Sequence, residues 1–247
     1  MLSRVRADLH VHTCLSPCAG LEMSPRKIVA EAVRKGIRLL AVTDHNSAAN
    51  VPAVAKAAEG SAVQVLAGME VCSEEEVHVL ALFDTQEKAL DLQSLVYSRL
   101  AGRNDPEAFG LQVIANELDE VVSFEERLLI GAVSLPVGRI AEEIHKRDGI
   151  MIASHIDRES FSIVSQLGFI PAGLELDALE LTEHCSDTEA RCRYSSYSGA
   201  VFVRNSDAHV LASLGTNTSE YLMESATFHE LRKALNGADG RNVWNGT

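Results

Sequence analysis

The sequence predicts an α/β fold built on a parallel sheet, open or closed into a barrel. Three observations point there. Short apolar runs alternate with helical patterns almost from end to end, the rhythm of repeated βα units. The chain has 247 residues, the usual size of an α/β barrel. Metal-ligating side chains fall at the C-terminal ends of the apolar runs, where parallel α/β folds build their sites.

The first strand is read over 5–13 and a helix over 25–35. Ser24 is placed to cap that helix, Pro25 takes its first position and Gly36 closes it. A strand at 37–43 leads to a helix at 50–59 that ends at Gly60, then to strands at 62–67 and 77–83. Thr85 opens a helix over 86–101 that stops before Gly102. Residues 103–133 break the rhythm: 111–116 and 120–124, with a polar segment between them, read as an inserted β-hairpin. The alternation resumes with a helix at 137–147 before Gly149, a strand at 150–154 and a helical piece at 161–167. A strand at 178–181, a helix at 188–192, a strand at 200–205 and a helix at 228–235 complete it. No linker, long repeat or charge block divides the chain, so residues 1–247 are expected to form one domain.

Hydrophobic residues make up 46% of the chain and charged residues 23%, which excludes a disordered or collagen-like protein. A chain this long buries enough core to fold without disulfides or a structural metal. The formal charge of −13 weighs against nucleic acid as a partner and requires a local positive centre for any anionic substrate. The five cysteines are odd in number and lack the spacing of a disulfide scaffold. With no apolar leader and no membrane-length apolar run, the expected location is the reducing cytoplasm, without a membrane partner.

Alternation along the first strand places Asp8, His10 and His12 on one face and Leu9 and Val11 on the other. Two imidazoles at i and i+2 form a pincer for one metal ion. The arrangement recurs: apolar runs end in Asp44-His45, in Gly68-Met69-Glu70, in His155 and in Ser206-Asp207-Ala208-His209, and His78 lies in the strand after Glu70. Surface loops and caps account for one or two such positions. They do not account for six histidines and two carboxylates all placed at strand ends, so the pattern predicts a metal centre.

Read in order, Asp8-Leu-His10-Val-His12-Thr13, Val42-Thr-Asp44-His45, Gly68-Met-Glu70 with His78, His155 and Asn205-Ser-Asp207-Ala-His209 resemble the polymerase and histidinol phosphatase (PHP) family. The resemblance spans residues 8–209 and implies a distorted (β/α)7 TIM-like barrel with up to three metals at its strand C-termini. It assigns His10, His12, Glu70 and Asp207 to a first metal. It assigns Glu70, His78 and His155 to a second, with Glu70 bridging, and His45 and His209 to a third. Family members with a full third site often carry a further His or Asp shortly after the His-X-His pair; Cys18 stands at about that place here. A thiolate there would favour a softer ion such as zinc, whereas an unused thiol would leave the third site weak or empty.

Phosphate ester hydrolysis needs a deprotonated water near neutral pH and neutralised phosphoryl oxygens, which adjacent divalent ions supply. The expected cofactors are two or three divalent ions, zinc, manganese or iron, and they would provide the positive field that the net charge lacks. Glu70 would bridge them, and Arg158 would grip a phosphate oxygen. His209 or a water on the metal would protonate the leaving group. Asp8 is expected to hold a ligand imidazole through a hydrogen bond, and Asp44 either to do the same or to cap a helix. His145, His184 and His229 are expected outside the centre, and Cys14, Cys72, Cys185 and Cys192 are expected as buried small hydrophobes.

The expected activity is that of a metal-dependent phosphatase acting on a small phosphorylated metabolite. The alternatives are a nuclease or phosphodiesterase, which needs a basic groove that Arg99, Arg103, Arg127 and Arg139 do not obviously form, and a non-catalytic metal-binding regulatory module.

Overall fold

Leu39–Val42, Ile150–Ala153 and Ala178–Leu181 are buried at every position, as in strands covered on both faces. They belong to a computed structural model that describes residues 1–197 and 199–244. The strands are β1 (Ser3–Val11), β2 (Leu39–Val42), β3 (Gln64–Cys72), β4 (His78–Phe83), β5 (Val113–Ala115), β6 (Val121–Phe124), β7 (Ile150–Ala153), β8 (Ala178–Leu181), β9 (Phe202–Arg204), β10 (Ser219–Met223) and β11 (Asn242–Trp244). The helices are α1 (Pro25–Arg34), α2 (Val51–Ala57), α3 (Gln86–Arg99), α4 (Pro106–Phe109), α5 (Val137–Lys146), α6 (Ile163–Leu167), α7 (Asp187–Arg193) and α8 (Phe228–Leu235).

Nine strands form one sheet in the order β11-β10-β1-β2-β3-β4-β7-β8-β9. It curls into a nearly closed barrel. The segment after β9 returns to β1, where the His12 amide donates to the Ala208 carbonyl (3.0 Å) and the Leu9 amide to Asn205 Oδ1 (2.9 Å). Leu9, Leu39, Ala41, Leu66, Leu80, Leu82 and Ile152 belong to one apolar core that continues into α8. Leu40, Val42, Met69, Val71, Phe83 and Ile144 pack with the other helices in a second core.

The expectation of a parallel sheet holds for β1-β2-β3 and for β7-β8-β9. It fails at β4, which runs antiparallel to both β3 and β7. The failure is useful, because the start of an antiparallel β4 lies beside the end of β3. Cys72 pairs with His78, so His78 reaches the same rim as Glu70. At Gly68 the β3–β4 contact leaves no room for a side chain: a Cβ there would stand 2.8 Å from the Ala81 carbonyl oxygen.

A register shift between Asp8 and Val11 breaks the alternation of β1. A bulge of this kind re-aims side chains, so Asp8 does not share the face of His10 and His12. Ser24 makes no capping bond to α1; instead Asp119, at the turn of the inserted hairpin, accepts from the Arg26 amide at 2.8 Å. The hairpin is present as β5 and β6. It is fixed beside the barrel mouth by Asn50, which donates to the Val113 carbonyl and accepts from the Ala115 amide at 3.0 Å each. Strands β10 and β11 and the single turn α4 are additional to the expected elements. Among the described residues no helix is long and apolar enough to cross a membrane.

Candidate metal centre

Six imidazoles ring one carboxylate at the barrel mouth. Following the ring, the centroid distances are His12–His10 5.2 Å, His10–His155 6.0 Å, His155–His78 5.5 Å, His78–His45 5.4 Å, His45–His209 5.9 Å and His209–His12 4.1 Å. Glu70, buried at the end of β3, faces five of them. Its Oε1 lies 3.3 Å from His10 Nε2, 3.1 Å from His78 Nδ1 and 3.3 Å from His155 Nε2, and its Oε2 lies 3.1 Å from His45 Nδ1 and 3.5 Å from His12 Nε2. Asp207 Oδ1 lies 3.2 Å from Nε2 of both His10 and His12 and 3.5 Å from His209 Nδ1.

Neighbouring groups set which ring nitrogens carry lone pairs. Glu180 stands 3.0 Å from His10 Nδ1, and because an ionised carboxylate only accepts, the proton sits on Nδ1. Ser16 gives its own proton to Asp44 Oδ1 (2.7 Å) and so accepts from His12 Nδ1 (2.9 Å). With each Nδ1 committed to its acceptor, the two Nε2 atoms face each other, 3.2 Å apart, as the ring nitrogens left to offer lone pairs to a cation. Glu70 Oε1 and Asp207 Oδ1 are buried and complete no hydrogen bond. Two imidazole nitrogens and two carboxylate oxygens converging on one point suit a divalent cation.

The electrostatics agree with the geometry. Burial works against a charge on His10, yet Glu180, Asp207 and Glu70 raise its proton affinity well above that of a free imidazole; the same field would receive a cation. Burial opposes ionisation of Glu70, but His78 and His10 hold its carboxyl well below the usual range. Burial and the neighbouring His209 and His45 push His12 down. Cys18 lies at the solvent edge of the same cluster. Desolvation opposes its ionisation, yet hydrogen bonds to His209 and His45 bring the thiol down to about 6.

Three overlapping groups offer ligand atoms within 4.8 Å of one another: His10, His12 and Glu70; His45, Glu70 and His78; and His12, His45 and His209. All the residues expected at the centre reach it. Arg158 does so by an ion pair, its Nη1 2.7 Å from Asp207 Oδ2. The backbone is strained where it must turn these groups inward. Asn46, His155 and Asp207 hold positive φ values of 52°, 31° and 48°, uncommon for residues other than glycine and concentrated at functional sites.

Two expectations are corrected. Asp8 touches no imidazole: it accepts from the Ser206 amide and hydroxyl and from the Gly215 amide, and burial pushes its carboxyl up to about 6 despite those bonds. Its expected role falls to Glu180, which sequence reasoning missed and which also accepts from the His155 amide at 2.9 Å and from Asn205 Nδ2 at 2.7 Å. Cys192 is exposed, whereas Cys14, Cys72 and Cys185 are buried as expected. Asp44 acts on His12 through Ser16, and His145 lies outside the centre, 3.4 Å from Asp177. His184 is exposed and lines a cavity of about 160 Å³ with Arg158.

The fold is shared with solved structures. A lesion-specific endonuclease from Pyrococcus furiosus superposes with a TM-score of 0.75 at 21% identity, over 98% of this chain and 58% of that one. A protein assigned as a metal-dependent phosphoesterase from Bifidobacterium adolescentis gives a TM-score of 0.60 at 19% identity, over 94% and 96%. In sequence, a PolC-type DNA polymerase III from Streptococcus pneumoniae is 31% identical over 119 residues, 48% of this chain and 8% of the polymerase. The matched segments span 28% or less of the curated relatives' own length. With a nuclease among its structural neighbours, the expectation against nucleic acid gains no support. The PHP domain model matches residues 8–148, more than half of the chain, and this chain therefore belongs to the PHP domain family of metal-dependent phosphoesterases.

Proposed function

We propose that the protein is a metal-dependent phosphatase that hydrolyses a small phosphorylated substrate at the barrel mouth. The carrying observation is the convergence of His10 Nε2, His12 Nε2, Asp207 Oδ1 and Glu70 on one buried point. Divalent cations bound there would lower the pKa of water and neutralise the phosphoryl oxygens. In this reading Glu70, His10, His12 and Asp207 hold one ion, and Glu70, His78 and His155 hold the other. Glu180 and the Ser16–Asp44 pair keep the lone pairs of His10 and His12 turned inward.

Arg158 is partly exposed and pairs with Asp207 through one terminal nitrogen; its other N–H groups are available to donate to a phosphate oxygen. A third ion, where bound, takes His45, His209 and Cys18. Without it, His209, the most exposed imidazole of the ring, is placed to donate a proton to the leaving oxygen.

A small substrate is favoured over a polynucleotide by the pairing of the basic residues. Arg103 lies against Glu126, Arg127 against Glu125, and Arg139 against Glu142 and Glu143, so these arginines form no open basic groove. The nuclease reading draws on the fold shared with the P. furiosus endonuclease. Metal-loaded protein assayed for phosphate release from a panel of monoesters, diesters and oligonucleotides distinguishes the two. Release from monoesters, lost in His10→Ala and Glu70→Ala with the fold retained, is expected. Cleavage of oligonucleotides alone would transfer the assignment to the nuclease, and no cleavage of any ester would end both.

A further inference from the structure

Between the end of β7 and the start of α6, one short loop sends three side chains to the centre. His155 joins the imidazole ring, Arg158 pairs with Asp207, and Phe161 lies on His78. The loop is tied internally, the Arg158 amide donating to the His155 carbonyl (2.9 Å) and the Ser162 hydroxyl to the Arg158 carbonyl (2.8 Å).

Phe161 is the unusual member. Its φ is +58°, a conformation in which a bulky aromatic residue is a genuine outlier. The backbone is held there by the His78 amide, which donates to the Phe161 carbonyl at 2.9 Å. The result is a phenyl ring stacked on the His78 imidazole, centroids 4.6 Å apart and planes 22° from parallel. Core packing does not explain the strain, because Phe161 remains 40% exposed. An aromatic ring fixed on a buried imidazole of the centre and still open to solvent offers a flat apolar surface beside the place where the phosphate would sit.

Resting on the phosphoesterase reading above, we propose that Phe161 is a stacking platform for a planar ring of the substrate, and that the site therefore takes nucleoside phosphates in preference to sugar phosphates. Base–aromatic stacking is tolerant of base identity because every base has a π-face, so selection is for the ring and not for one base.

The test is equilibrium binding of the fluorescent etheno-adenosine monophosphate and of ribose 5-phosphate to the metal-loaded full chain, in wild type, Phe161→Gly and Phe161→Tyr. Glycine removes the ring and also accepts the positive φ, so this variant is chosen to keep the loop; circular dichroism checks its fold. Wild type is expected to favour the nucleotide over the sugar phosphate by about tenfold. That ratio should fall to near one in Phe161→Gly and be restored in Phe161→Tyr. Equal ratios in wild type and Phe161→Gly, or no nucleotide preference in wild type, would overturn the proposal. Ring-dependent binding without hydrolysis of any phosphate ester would instead count against the phosphatase reading alone.

Discussion

The Glu180 carboxylate stands 3.0 Å from His10 Nδ1, and through this contact it sets which nitrogen of the first imidazole faces the centre. Glu180 is 2% exposed and accepts from His10, Asn205 and the His155 amide together. Glu180→Gln keeps the volume but offers a competing donor to His10. It is expected to lower metal affinity about 10–100-fold, read by competition with a chelator. Unchanged affinity would show that His10 is oriented by other means.

The Asp44–Ser16–His12 chain makes a second, separate prediction. Ser16→Ala removes the acceptor that holds the His12 Nδ1 proton and should weaken metal binding by about tenfold. Asp44→Asn should weaken it further, because Asp44 also accepts from the Thr13 amide and hydroxyl at 2.7 Å each. Titration calorimetry with manganese or zinc checks both variants. Equal affinities in Ser16→Ala and wild type would remove the chain from the account.

Metal binding should also appear as stability. The ligand atoms gathered around Glu70 in the folded chain are dispersed in the unfolded one, so an ion they hold favours the folded state. An ion that binds only the folded state adds about 2.7 kcal/mol at one hundred times its dissociation constant. Thermal unfolding with and without EDTA should therefore show a lower Tm in the chelated protein. A Tm unaffected by chelator and by added metal would contradict this.

Away from the centre, Glu143 on α5 accepts from Arg147 and Arg139 at 2.6 Å each and has Lys146 within 3.9 Å. The hydrogen bond from Arg147 leads in holding its carboxyl below the ordinary value of 4.5. A carboxyl whose pKa is depressed on folding contributes fully above its unfolded value, and the contribution is lost as pH falls through its folded value. Glu143→Gln should therefore cost about 1–2 kcal/mol near neutral pH, with the gap to wild type closing as the medium becomes acidic. Denaturant unfolding across pH measures this, and a gap that widens in acid would refute it.

Much of the centre is legible because apolar runs end where parallel strands end, and the histidines stand at those ends. The strand Ala178–Leu181 and the helix Phe228–Leu235 are read correctly at both limits. The misses have physical causes. Reading β3 only to residue 67, when it continues to Cys72, hides the short connection to β4; a few residues between two strands signal a hairpin, hence antiparallel pairing. The β1 bulge has no mark in the sequence, so Asp8 is placed on the wrong face. Glu180 did leave a signal: an acid inside the apolar run Ala-Leu-Glu-Leu has to be paired when buried.

Anomalous diffraction from crystals soaked in manganese tests the central claim most directly. The account predicts two peaks flanking Glu70, each within about 2.2 Å of a carboxylate oxygen, one also contacting His10, His12 and Asp207 and the other His78 and His155. Manganese absent from Glu70 under saturating soaks, or bound only at surface carboxylates, would contradict it.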